Sequence, residues 1–209
     1  MIDQFVFPTR AWNLSGLNGI SDKTLEIHFG LYAGYVKNTN LLREQLATRF
    51  TNGKPKGADP TFAELERRLG FEYNGMRLHE LYFDNLTSKP EELAKGGGLD
   101  NSLQRVWGSF QAWRDEFAAM GQMRGVGWVV LAQDPWSGRL SNHWIELHQT
   151  GNVAGFAPIL VMDVWEHAWI QDYKPSERSG YVESFLSNID WPLCERRLQP
   201  AHLEGTKTA

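Results

Sequence analysis

The chain has 209 residues, 42% hydrophobic and 12% aromatic, enough to bury a sizeable core as one large or two small domains. Its formal net charge of -4, with no block of like charges, offers no basic field for nucleic acid, and no stretch of about 18 apolar residues offers a membrane span. A single cysteine, Cys194, excludes an internal disulfide and a multi-thiolate metal site; with an opening that lacks a basic run followed by an apolar one, it points to the cytoplasm.

Residues 1–20 are punctuated by Pro, Gly and Asn without periodicity and read as an extended arm lying on the body. Ser21 or Asp22 then caps a helix in which Leu25, Phe29, Tyr32 and Val36 form one apolar stripe. His28 and Tyr35 lie beside that stripe, and their seven-residue spacing returns them to nearly one face after two turns. This helix runs to Phe50 and is broken by the polar, Gly- and Pro-containing segment 51–57. Asp59-Pro60 opens a second helix, with Phe62, Leu65 and Leu69 and then Met76, His79, Phe83 and Leu86 facing inward, and with Gly70 or Gly75 as a weak point.

Segment 87–98, with Pro90 and three successive glycines, is the best boundary in the chain. It divides an N-terminal antiparallel helical hairpin, 1–92, from a C-terminal α+β domain, 93–209. In the second part, 101–123 reads as one helix with Leu103, Val106, Trp107, Phe110, Trp113 and Phe117 on one side. The period then changes to that of strands. Residues 127–132, a turn at 134–139 and a return run at 144–148 make a hairpin, and the apolar run 157–162 completes a three-stranded antiparallel sheet. Helices near 167–173, 178–188 and 190–198 surround it, and the tail 199–209 reads as loosely held.

Asp163 follows the last strand directly, and His167 is four residues on, a spacing that brings carboxylate and imidazole to one point if the chain coils after Asp163. The ordinary reading of Asp-x-x-x-His is a solvated helix start, and the ordinary reading of a lone inward histidine such as His79 is a hydrogen-bonded core residue. His28, His79 and His167 with Asp163, if brought together, would suit Fe, Mn or Zn with a fifth position left for catalysis.

Asp163-Val164-Trp165-Glu166-His167 resembles the C-terminal signature of the iron/manganese superoxide dismutase family. The likeness runs over nearly the whole chain. Leu25-Glu26-Ile27-His28 with Tyr35-Val36-Lys37-Asn38 looks like the first ligand helix, His79-Glu80-Leu81-Tyr82-Phe83 like the second, and Gly125-Val126-Gly127-Trp128 like the opening of the hairpin. The resemblance implies His28, His79, Asp163 and His167 as ligands of one iron or manganese ion per subunit. That ion converts superoxide to dioxygen and hydrogen peroxide by alternate reduction and oxidation. It also implies Tyr35 as a gateway tyrosine, Trp128 and Trp165 as walls, and Glu166 reaching across a homodimer, or a dimer of dimers, to the other subunit's His167.

A side-chain amide that holds the metal-bound solvent is expected at Gln149, or His148 in its place if the alignment moves by one. Gly75, where iron-type members carry a glutamine, favours manganese; Val161, bulkier than the glycine common in manganese enzymes, favours iron, so a cambialistic enzyme stays open. Other departures are a spacing from His28 to Tyr35 one residue shorter than usual, which predicts a regular helix without a π-bulge, and Leu31 or Tyr32 near the place of the family's gateway histidine. Trp169 replaces a tyrosine common at the interface, Arg77-Leu78 replaces Trp-Asn, and Lys37 and Lys174 are candidates for the local positive charge that would attract an anion. A relative that kept the fold as a non-enzymatic module would have lost ligands, and none is lost here.

Overall fold

Two long helices follow from the two apolar stripes. In the computed structural model, which describes residues 5–51 and 53–201, α1 spans Asp22–Thr51 and α2 spans Pro60–Asp84. The Ser21 hydroxyl accepts from Thr24 N (3.1 Å) at the start of α1, while the Asp172 carboxylate takes Ser21 N (2.9 Å) and the Thr24 hydroxyl (2.7 Å). Asp59 caps α2 by accepting from Thr61 N (2.9 Å), with Pro60 in the first turn. The pairs His28/His79, Tyr35/Gly75, Asn38/Glu72 and Arg49/Asp59 climb one helix as they descend the other, so the two are antiparallel. Neither Gly70 nor Gly75 interrupts α2, because packing along its length outweighs their low helix propensity. The N-terminal arm lies across this pair, with Arg10 and Trp12 both bonded to Asp84 and Phe7 N to Asn40.

The expected single helix over 101–123 is two helices, α3 (Gly98–Trp107) and α4 (Phe110–Gly121). Gly108 takes a left-handed conformation (φ 81°) that closes α3, and the Ser109 hydroxyl starts α4 by accepting from Ala112 N at 3.1 Å. The apolar stripe hides the break, since Leu103, Trp113 and Phe117 on either side of it are all buried.

Strands β1 (Gly127–Gln133), β2 (Leu140–Glu146) and β3 (Ala157–Asp163) form an antiparallel sheet in the order β2-β1-β3, so the domain is α+β as the periodicity predicts. β1 is buried throughout, and its Trp128 lies opposite Ile145 on one side and Asp163 on the other. The return strand differs from expectation. It runs 140–146 rather than 144–148, because pairing begins directly after the turn in which Asp134 N bonds Arg139 O (2.9 Å). It ends where Leu147 turns to φ 54°, so His148 lies beyond the strand.

After β3 the chain makes a single 3-10 turn, Glu166–Ala168, in place of the helix expected over 167–173. Helices α5 (Arg178–Ser187) and α6 (Trp191–Arg196) close the structure. Gln133 holds Gln199 through both backbone groups; the rest of the tail expected to be loose, 202–209, lies outside the described residues. No helix among the described residues is long and apolar enough to cross a membrane.

Candidate metal centre

The interior faces of α1 and α2 bring His28 and His79 together, and the end of β3 delivers Asp163 between them. His28, His79 and Asp163 are fully buried, and the His167 side chain is 18% exposed. Asp163 Oδ2 lies 3.1 Å from His28 Nε2, 3.1 Å from His167 Nε2 and 3.8 Å from His79 Nε2. The four side chains each offer one donor atom to a group spanning no more than 4.8 Å. No α-helix is needed for the Asp163/His167 convergence: Asp163 Oδ1 accepts from Trp165 N (2.8 Å), which curls the chain before the 3-10 turn that carries His167.

His79 shows how the backbone aims a ligand. Its Nδ1 bonds Gly75 O one turn earlier (2.6 Å), which leaves Nε2 buried, without a hydrogen-bond partner and directed at Asp163. An orphaned buried nitrogen is costly unless something fills the pocket. Burial pushes the Asp163 carboxyl up, but the His167 and His28 imidazoles outweigh it and hold the group well below the usual carboxylate range. Burial likewise lowers His28 and, more strongly, His79, keeping the rings neutral. Neutral His28 and His79 rings beside an ionised carboxylate are protonation states a metal requires, and the buried negative charge of Asp163 calls for a cation. The donor set fits iron or manganese.

A second ring of residues encloses this group. His148 is buried and bridges two of them: Trp128 Nε1 donates to its Nδ1 at 3.0 Å, and its Nε2 is 2.8 Å from the Tyr35 hydroxyl. Gln149, the first expectation for the residue facing the centre, is exposed, its oxygen turned back to His148 N at 3.4 Å. That His148, the alternative, turns inward while Gln149 turns outward has a local cause. The left-handed Leu147 rotates the chain by one position after β2, which period-2 alternation does not anticipate. Burial lowers the His148 imidazole to about 4 and raises the Tyr35 phenol to about 12, the latter helped by the Asp163 charge.

Tyr35 sits on an unbroken α1, as its seven-residue spacing from His28 predicts, and its ring lies 5.0 Å from that of His79. Beneath it, Gly75 has no room for a side chain, since a Cβ there would lie 2.6 Å from the Tyr35 ring. Trp165 stacks on His148 and His167, and its indole N–H donates to Leu147 O (3.2 Å), tying the wall to the same corner. Val161 is buried one pleat before Asp163, with its carbonyl accepting from Asn85 Nδ2 at 2.7 Å.

Glu166 is exposed beside His167, and Trp169 is buried with its indole nitrogen unpartnered. At the place of the missing gateway histidine, the Tyr32 hydroxyl turns away to Glu80 (2.9 Å), Leu31 is exposed, and Arg77 pairs with the same Glu80 at 2.6 Å. Lys37 and Lys174 are both exposed.

Sequence reasoning missed Phe71, whose ring lies 4.5 Å from His148 and 6.2 Å from Tyr35, and Tyr181, whose hydroxyl donates to Asp163 O at 2.6 Å. For Phe71 a signal existed: Phe71, Gly75 and His79 recur at spacings of four along α2 and so share a stripe.

A buried cluster of three imidazoles and one carboxylate, set between a helical pair and an α+β body, defines a mononuclear metalloprotein. Residues 95–197 match the family of iron/manganese superoxide dismutases, C-terminal domain. The chain is 35% identical over 192 residues to an iron superoxide dismutase of Cupriavidus metallidurans, covering 88% of this chain and 91% of that one. It is 34% identical to an iron superoxide dismutase of Aquifex pyrophilus, with 88% and 87% covered, and 32% identical to a manganese superoxide dismutase of Haloferax volcanii, with 87% and 88% covered. The chain belongs to the iron/manganese superoxide dismutase family.

Proposed function

We propose that this chain is a superoxide dismutase in which His28, His79, Asp163 and His167 hold one iron or manganese ion. Two superoxide ions and two protons give one dioxygen and one hydrogen peroxide. When bound, the ion supplies a one-electron couple that accepts an electron from one superoxide and returns one to the next. The observation that carries the reading is the approach of Asp163 Oδ2 to His28 and His167 at 3.1 Å, with the orphaned His79 Nε2 facing it at 3.8 Å.

The chain's own residues do the rest. Asp163 contributes the one negative charge, which lowers the net charge of a bound cation, and Gly75 O and Trp165 N keep two ligands from rotating. Because Trp128 donates to His148 Nδ1, the His148 proton sits on Nε2, where it faces the Tyr35 hydroxyl. Tyr35 and His148 thus form a hydrogen-bonded pair from which protons reach the reduced substrate, while Trp128 and Trp165 exclude bulk water. His148 takes the role first expected of Gln149.

The division into 1–92 and 93–209 belongs to the same reading and is supported by two ligands falling on each side, so the ion would bind between the parts. A two-fold dimer is supported by exposed Glu166 beside partly exposed His167 and by the unpartnered Trp169 indole. A cytoplasmic location is supported by the lone, buried Cys194.

The test is metal analysis of the purified protein, paired with a dismutation assay after reconstitution with iron and with manganese. Stoichiometric metal and activity with at least one of the two are expected; activity with both makes the enzyme cambialistic. Failure to bind either metal overturns the site.

A further inference from the structure

The net charge of -4 repels an anionic substrate on average, so its approach depends on where positive charge sits near the Tyr35 side of the centre. Neither Lys37 nor Lys174 has a described contact with Tyr35, His148 or Phe71. Arg68 is better placed. Its guanidinium carbon lies 4.3 Å from the centroid of the Phe71 ring, and Phe71 in turn packs on His148 and Tyr35. The Arg68 side chain is 53% exposed, whereas that of its partner Glu72 is 3% exposed. The Nε and Nη2 atoms of Arg68 fork onto Glu72 Oε1 at 2.7 and 2.6 Å, and Glu72 Oε2 accepts from Asn38 Nδ2 at 3.3 Å, three residues beyond Tyr35 on α1.

The ion pair is thus a dipole with its positive end toward solvent and its negative end sunk between the helices. Both ends are felt at the gate: the Arg68 charge acts on Tyr35 and His148, and the Glu72 charge acts on Tyr35. On the reading that this site dismutes superoxide, we infer that Arg68 draws the anion to the Tyr35 entrance and that buried Glu72 sets how strongly it does so. Arg68 is a steering residue; it touches none of the four ligands.

A purely structural ion pair and a steering dipole predict different signs. Arg68→Gln leaves the Glu72 charge unopposed, while Glu72→Gln keeps the shape and frees the Arg68 charge. At low ionic strength, kcat/KM should fall about two- to fivefold in R68Q and rise about twofold in E72Q, with kcat unchanged in both. Both differences should fade as 1 M salt shortens the Debye length to about 3 Å. Arg68→Lys should retain most of the wild-type value.

Azide, a monovalent anion whose binding is read by absorbance titration of the metal-loaded protein, should follow the same order. Equal metal content keeps the comparison clean, and if R68Q misfolds, the sign and salt dependence of the E72Q change alone still decide between a steering and a structural ion pair.

Losses of equal sign in R68Q and E72Q, or differences insensitive to salt, would overturn the inference. A wild-type protein inactive with either metal would instead overturn the dismutase reading, and the azide series would still decide whether Arg68 attracts anions.

Discussion

The four metal-facing residues and the ring around them are built by different means. His28, His79 and Asp163 stand on regular elements, two helix faces and a strand end, where side-chain direction follows from the period. Tyr35 shares that regularity, but its partner His148 stands beyond β2, on a corner made by one left-handed residue, Leu147. Three of the four inner residues therefore take their direction from regular elements, whereas His148 of the outer ring depends on a single residue of register.

This contrast can be broken most severely at its inner member. Asp163→Ala removes the one carboxylate of the four-residue group and should reduce bound metal and activity by at least about 100-fold, as measured by metal analysis and dismutation assay. Full metal content in that variant would show that the three histidines suffice. Chelation of the wild-type ion should lower thermal stability, by about 4 kcal/mol when the free metal had stood at 1,000 times its Kd, and denaturation scans with and without chelator measure this.

The outer ring should respond differently. His148→Ala should keep its metal and lose roughly 10- to 100-fold in activity, whereas Gln149→Ala, at an exposed side chain, should stay within about twofold of wild type. The reverse pattern would restore the residue that sequence reasoning put first. Gly75→Ala sharpens the comparison, because its Cβ would press on the Tyr35 ring while leaving the His79 backbone bond in place. We expect a stability loss of about 1–3 kcal/mol and reduced activity with metal retained, read by denaturant titration and metal analysis.

The smallest effect is expected farthest from both rings. Cys194 is buried and burial raises its thiol to about 12, so a thiol reagent should modify it only as fast as the protein unfolds. Rapid labelling of the native protein would show that α6 opens on its own.

Much of this arrangement was legible in advance. The stripe through Leu25, Tyr32 and Val36, the Asp59-Pro60 cap and the apolar run before Asp163 gave the helical pair, the last strand and the inward histidines, because each is a local pattern with a fixed period. What escaped was irregular. Gly108 divided a helix whose stripe continued across the break, and the carboxylate-capped turn after Asp163 replaced an expected helix. Arg68 was hidden because a charge on an amphipathic helix gives no sign, in one dimension, of what lies beside it.

The sequence by itself determined the α+β plan, which rests on periodicity, and carried the Asp163–His167 signature, whose resemblance implied the four candidate donors. Tertiary structure decided that the donors meet at Asp163 Oδ2, that His148 rather than Gln149 faces Tyr35, and that Gly75 is empty because Tyr35 fills the space. Convergence and register of this kind depend on distances between segments far apart in the chain, and these exist only once packing has set the helices against the sheet.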